Sequence, residues 1–209
     1  MRRFRFFLDF EKEERWLNKM ATQGYELVGK SIGYKFCSAK PENTIIKIDY
    51  RIFKNQADFQ DYCALFEDSG WKHIAGTKNS GVQYFKKVDK RASEDIFSDV
   101  DSKAGRYKRL SEMYITLALL YFPIFIVLIT SDSIDMVAFI NPKSLYYTPG
   151  LWEKTGADFW GAFLFETPFV LFRGFSGLIL LIIFVLYLIF VFKAECQYRK
   201  IKKTKTENV

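Results

Sequence analysis

Three carboxylates crowd one short stretch, Glu11, Glu13 and Glu14 in "FEKEERWLNKMATQGYELVG". Clustered carboxylates can do acid–base chemistry when their surroundings push their pKa values apart. Here, however, Asp9 stands where a helix N-cap belongs, and acidic residues just after it suit the positive end of a helix. The spacing therefore reads as solvated first-turn charge. His73 is the single histidine. A general base needs a nucleophile or acid beside it, and a metal needs further ligands, so His73 is read as structural. Cys37, Cys63 and Cys196 show no CxxC spacing, which argues against a disulfide framework or a zinc site. Cys63 falls on an apolar helical stripe and is expected in the core. Glu166 and Arg173 sit at the edge of a long apolar run, where ionisable groups often have roles in transport. GxGxxG, HExxH and GxSxG patterns do not occur, and the letters of GxxxxGK[ST] fall only at Gly24–Ser31, in a stretch that reads as a strand and not as a loop opening a helix. No residue qualifies as catalytic, cofactor-binding or metal-binding, and the chain is read as a non-enzymatic protein without a cofactor.

The elements that hold these residues repeat. Shifted by 46 positions, Phe4–Phe7 lies on Tyr50–Phe53, Trp16, Leu17 and Met20 on Tyr62, Cys63 and Phe66, and Gly24-Tyr25 on Gly70-Trp71. Each copy opens on an aromatic or β-branched strand, "RFRFFLDF" or "IIKIDYRIF". A helix follows, capped by Asp9 or Asn55. Its apolar stripe is Trp16, Leu17, Met20 and Ala21 in the first copy, and Phe59, Tyr62, Cys63 and Phe66 in the second. Gly24 and Gly70 occupy the position that closes a helix with a left-handed residue. Two further strands complete each copy. Residues 1–90 are thus expected to form a duplicated β-α-β-β domain of the α+β class, with one antiparallel sheet and both helices on one face. Trp16, Tyr25, Tyr62 and Trp71 are its expected core aromatics.

Residues 91–112 read as a charged linker with a surface helix capped at Ser93, then a juxtamembrane stretch. The apolar region, 113–192, contains two uncharged runs of eighteen residues, 113–130 and 175–192. At about 1.5 Å per residue each spans roughly 27 Å, near the thickness of a bilayer's hydrocarbon core. Pro123 predicts a kink in the first. The intervening loop, 131–174, contains a segment, 159–172, that reads as interfacial, re-entrant or spanning, with Trp152 and Trp160 at headgroup depth. The tail, 193–209, has six basic against two acidic residues, whereas 113–192 has three against five. Basic residues on both outer flanks place both termini in the cytoplasm, where all three thiols would stay reduced. The net charge of +7 is spread over these flanks, not gathered in a stripe, which argues against nucleic acid and for anionic lipid.

The phrases "WLNKMATQGYELV", "IKIDYRI", "FEDSGWKHI" and "QYFKK", followed by two hydrophobic segments, resemble a bacterial family known as domain of unknown function 2812. The resemblance covers the N-terminal domain and, in longer members, the membrane part. It implies a multi-pass protein of the bacterial plasma membrane, encoded beside PadR-type repressors and answering envelope or antimicrobial stress. It carries over no catalytic residues. The expected role is a protein-docking, regulatory module bound to membrane lipid and a protein partner, compatible with a homo-oligomer. The alternative is an accessory subunit of a transport or export complex.

Overall fold

Local capping sets where the first elements begin. In the computed structural model, which describes residues 1–131 and 137–207, Asp9 accepts the amides of Glu11 and Lys12 and so starts α1, Phe10–Thr22. Asn55 accepts the amide of Asp58 and starts α2, Gln56–Asp68. Gly24 and Gly70 both take φ of +82° just beyond these helices, a backbone that costs glycine little and other residues more.

The strands form two three-stranded antiparallel sheets. In the first, β1 (Arg2–Arg3) and β2 (Tyr25–Lys30) flank β3 (Tyr34–Ser38); in the second, β4 (Ile46–Tyr50) and β5 (Trp71–Ala75) flank β6 (Val82–Lys87). The expected single sheet is therefore not what forms. β2 and β5 run close to each other without pairing. Each carries a register shift, at Leu27/Gly29 and His73/Ala75, and such bulges twist an edge out of line and end pairing. α1 packs on β2 and β4, hence on both sheets, while α2 packs on β5.

Two compact units divide the chain, residues 1–112 with 191–209, and residues 113–190. In the first, Trp16 stands edge-on to Tyr34 at 4.7 Å and lies 5.4 Å from Phe7. Phe53, Tyr62, Trp71 and Phe85 make a second aromatic core, with Cys63 packed against it. The helix expected from Ser93 is absent: the Ser93 hydroxyl meets only the Asp95 amide, two residues on, which closes a turn. Asp99 instead receives the amide and hydroxyl of Ser102, at the start of α3, Val100–Thr130. Lys103, Arg106, Lys108 and Arg109 thus lie within a helix.

In the second unit, the Tyr121 hydroxyl donates to Leu180 O at 3.0 Å, and Tyr121 and Phe125 stack on Phe184. The segment 159–172 does not form an element of its own. α4 runs from Gly156 to Glu207 and takes in 159–172, 175–192 and most of the tail. It passes through a charged residue, Glu166, and a proline, Pro168, without a break. The Glu166 charge is met by Arg173 at 3.1 Å, the amides of Tyr147 and Thr148, and the Thr148 hydroxyl. Near Pro168, the Thr167 hydroxyl donates to Phe163 O. α3 and α4 are both long and apolar enough to cross a membrane. Residues 132–136 of the expected loop and 208–209 of the tail lie outside the described residues.

A Cβ at Gly70 would lie 2.8 Å from the Asp89 Cβ and 2.9 Å from that of Ala92, in addition to the left-handed backbone. Gly70→Ala should lower stability by about 1–3 kcal/mol, whereas Gly161→Ala, a helical site with open space around it, should be neutral or slightly stabilising. Thermal unfolding of the two variants in detergent, followed by tryptophan fluorescence, checks the contrast.

Candidate functional site

A concentration of polar groups in the first unit lies along the outer edge of β4. The bonds Lys87 N to Ile45 O and Arg51 N to Gly81 O set the pairing with β6, so the backbone of residues 46, 48 and 50 faces away from it. Side chains meet four of these groups. Asn18 and Glu14 of α1 accept the amides of Ile46, at 2.8 Å, and Ile48, at 3.2 Å. From α3, Arg106 donates to Ile48 O at 2.7 Å and Arg109 to Tyr50 O at 2.5 Å. An edge strand that would otherwise stay open is closed by two helices.

Charge pairing runs through the same seam. Arg106 is 0% exposed and holds Glu14 at 2.6 Å. Its guanidinium carbon lies 5.2–5.3 Å from the rings of Phe10, Phe97 and Tyr107, a cation–π enclosure, and among the described residues its Nε and Nη2 have no hydrogen-bond partner. Burial works against this charge, but Glu14, Tyr107 and Glu11 together outweigh it and hold the guanidinium above its ordinary pKa. Arg109 pairs with Asp49 at 2.6 Å, and Asp49 also accepts the Tyr62 hydroxyl of α2 at 2.8 Å. Tyr107 donates to Asp9, the cap of α1, and accepts the Phe10 amide.

Glu13 closes the seam on its other side. One of its oxygens accepts both the Tyr34 hydroxyl of β3, at 2.7 Å, and the Tyr84 hydroxyl of β6, at 2.6 Å. This carboxylate stitches one sheet to the other. Burial pushes its pKa above the ordinary 4.5 despite the two phenols, and burial likewise raises both tyrosines.

Glu13 and Glu14 are therefore buried, not solvated. Their neighbour Glu11 stays half-exposed, 4.0 Å from Lys103. The first-turn reading failed because it saw only the helix's own dipole and not the hydroxyls and guanidinium supplied from β3, β6 and α3. His73 lies apart from the seam. Its Nε2 bonds the Gln83 Oε1 at 3.0 Å and its ring packs on Phe59 and Phe85; burial lowers its pKa. Trp71 and Tyr62 are buried, and Trp16 and Tyr25 half-buried; Cys37 and Cys63 are half-buried and Cys196 exposed. Arg106, Arg109, Asp49, Tyr34 and Tyr84 went unrecognised by sequence. The one hint was the three-residue spacing of Arg106 and Arg109, which puts both on one helix face. Among the described residues, no three His, Cys, Asp or Glu side chains gather as a metal site would require. The seam's carboxylates are committed to internal donors, an arrangement that fastens α1, α3 and β4 together.

A sequence profile for the family described as Protein of unknown function (DUF2812) matches residues 9–119, over half of the chain. The chain belongs to the DUF2812 family. The DUF2812 match contains Asp9, Glu13, Glu14, Asp49, Tyr84, Arg106 and Arg109, so the whole seam lies inside it. No curated protein and no solved structure matches the chain.

Removing one member of a buried ion pair strands the other. Arg106→Met should destabilise the protein by about 3–5 kcal/mol, and adding Glu14→Gln should restore part of the loss; chemical denaturation of the single and double variants measures both. Glu13 makes a separate prediction. Its folded pKa is raised, so its contribution favours the fold while it is protonated, below 4.5, and that stability is lost as pH rises through the folded value. Glu13→Gln keeps an acceptor for both phenols and cannot ionise. The variant should gain on the wild type as pH rises from acidic toward neutral, read from melting temperatures across that range.

Proposed function

We propose that this DUF2812 protein is a non-enzymatic protein of the bacterial plasma membrane, anchored by α3 and α4, whose α+β domain is a cytoplasmic docking module in a regulatory response. The observation that carries the anchoring is the apolar surface of the two helices. Leu119, Leu120, Ile124 and Val127 on α3, and Phe172, Ile182 and Phe192 on α4, are exposed, a surface that hydrocarbon covers better than water does. Arg199, Lys200, Lys202 and Lys203 and the basic N-terminal half favour a cytoplasmic position for both ends.

The module itself reads as a duplicated β-α-β-β unit. Both sheets order their strands first, third, second. Arg5 lies over Phe7 and Trp16 as Arg51, 46 residues on, lies over Phe53 and Tyr62. Docking is favoured over chemistry because the clustered carboxylates are committed to one another's neighbours, as described above. Glu166 and Arg173, which would have favoured a transport subunit, are similarly committed to each other and to the backbone at 147–148. An association with PadR-type repression and envelope stress is the regulatory setting that the family resemblance suggests.

Tagged full-length chain in native membranes tests this reading. It should resist extraction by alkaline carbonate, and Cys196, which is exposed, should react with an impermeant maleimide only after the cells are permeabilised. Crosslinking with mass spectrometry should then find one dominant regulatory protein joined through residues 1–112. Extraction by carbonate, labelling of intact cells, or crosslinks that run instead from α4 to a multi-span transporter would each overturn it.

A further inference from the structure

We infer that the end of the first sheet formed by residues 1–6 and 30–35 is a contact surface for an anionic lipid bilayer. Pairing of Arg2 with Lys35 and Arg3 with Tyr34 brings the N-terminal strand alongside the turn between β2 and β3. The Phe4 ring lies 3.1 Å from where a Cβ on Gly33 would stand. The two segments together hold five basic residues, Arg2, Arg3, Arg5, Lys30 and Lys35, and no acidic one. Among the described residues none of the five has a carboxylate within 4 Å. Set among these charges are three large exposed apolar side chains: Phe4 is 70% exposed, Phe6 71% and Ile32 90%.

The second sheet repeats this exposure only in part, at Ile52, 46 positions after Phe6. Tyr50, the residue 46 positions after Phe4, is buried, and the corresponding turn of the second sheet, Thr77–Ser80, is wholly polar. Cations interleaved with exposed apolar side chains match a headgroup layer, where the charges meet lipid phosphates and the apolar groups reach the acyl boundary. Nucleic acid would satisfy the arginines and leave Ile32 without a partner. Such a patch binds only marginally by itself, but a tether to the same membrane raises its effective concentration enough for weak contacts to hold. The inference rests on the anchoring proposed above.

Full-length protein in nanodiscs of phosphatidylcholine alone, or with added phosphatidylglycerol, tests it by hydrogen-exchange mass spectrometry. Amides of residues 2–6 and 30–35 should exchange about tenfold more slowly in the anionic discs, and roughly 0.5 M salt should reverse this. The combined Arg2→Glu, Arg3→Glu and Arg5→Glu variant should lose the effect, while unchanged protection of α1 shows that its fold is intact. Equal exchange in the two discs, slowing that survives the charge reversal, or slowing by a short RNA in the neutral discs would overturn the inference. Failure of the chain to enter either disc would sink the anchoring reading itself, a result distinct from equal exchange in loaded discs.

Discussion

The closure of β4 by side chains is the constraint on which the α+β unit depends. A strand's outer edge offers donors and acceptors in alternation, and each one left unpaired in the interior costs about 1–3 kcal/mol. A third strand would be the common answer. Here α1 brings acceptors, Asn18 and Glu14, and α3 brings donors, Arg106 and Arg109. The helices cannot exchange these roles, since guanidinium groups only donate and carboxylates only accept. Slipping β4 by one residue would turn every one of these groups away from its partner. The seam therefore sets register as well as proximity.

Its ionic character follows from that task. A buried pair such as Arg106 and Glu14 gains little net stability over apolar groups of the same shape. Apolar side chains, however, could not have met the amide and carbonyl of Ile48, and both ions bond that residue's backbone while bonding each other. Specific docking of α1 and α3 against β4 is the return for an expensive desolvation. Glu13 repeats the logic at lower charge, with two phenols in place of a guanidinium and two sheets in place of a sheet and a helix.

What sequence could reveal was whatever depends on near neighbours. Asp9 and Asn55 as caps, Gly24 and Gly70 as left-handed stops, and the two apolar runs all rest on interactions within a few residues, and each stands where its pattern placed it. The seam pairs residues 13 to 98 positions apart, beyond any local period. Arg106 and Arg109 were legible only as basic residues before an apolar run, which is also what a topology signal looks like. The length of α4 was missed for a related reason: Glu166 reads as a charge that must reach water until the amides of Tyr147 and Thr148 are seen to receive it.

The two halves of the unit then differ in a way that bears on their use. Moving 46 positions on from Glu13, Glu14 and Asn18 reaches Phe59, Gln60 and Ala64, so α2 carries no counterpart of the seam. Nor does the first sheet need one: its outer strand, β1, is two residues long and exposed. Short edge strands dressed with cations resist pairing with another chain, so Arg2 and Arg3 suffice to protect β1 where β4 needs two helices. One edge is built into the interior and the other is left facing out, with charge as its only cover. An exposed edge of that kind is free to take on a partner that is not a strand, and the buried one is not.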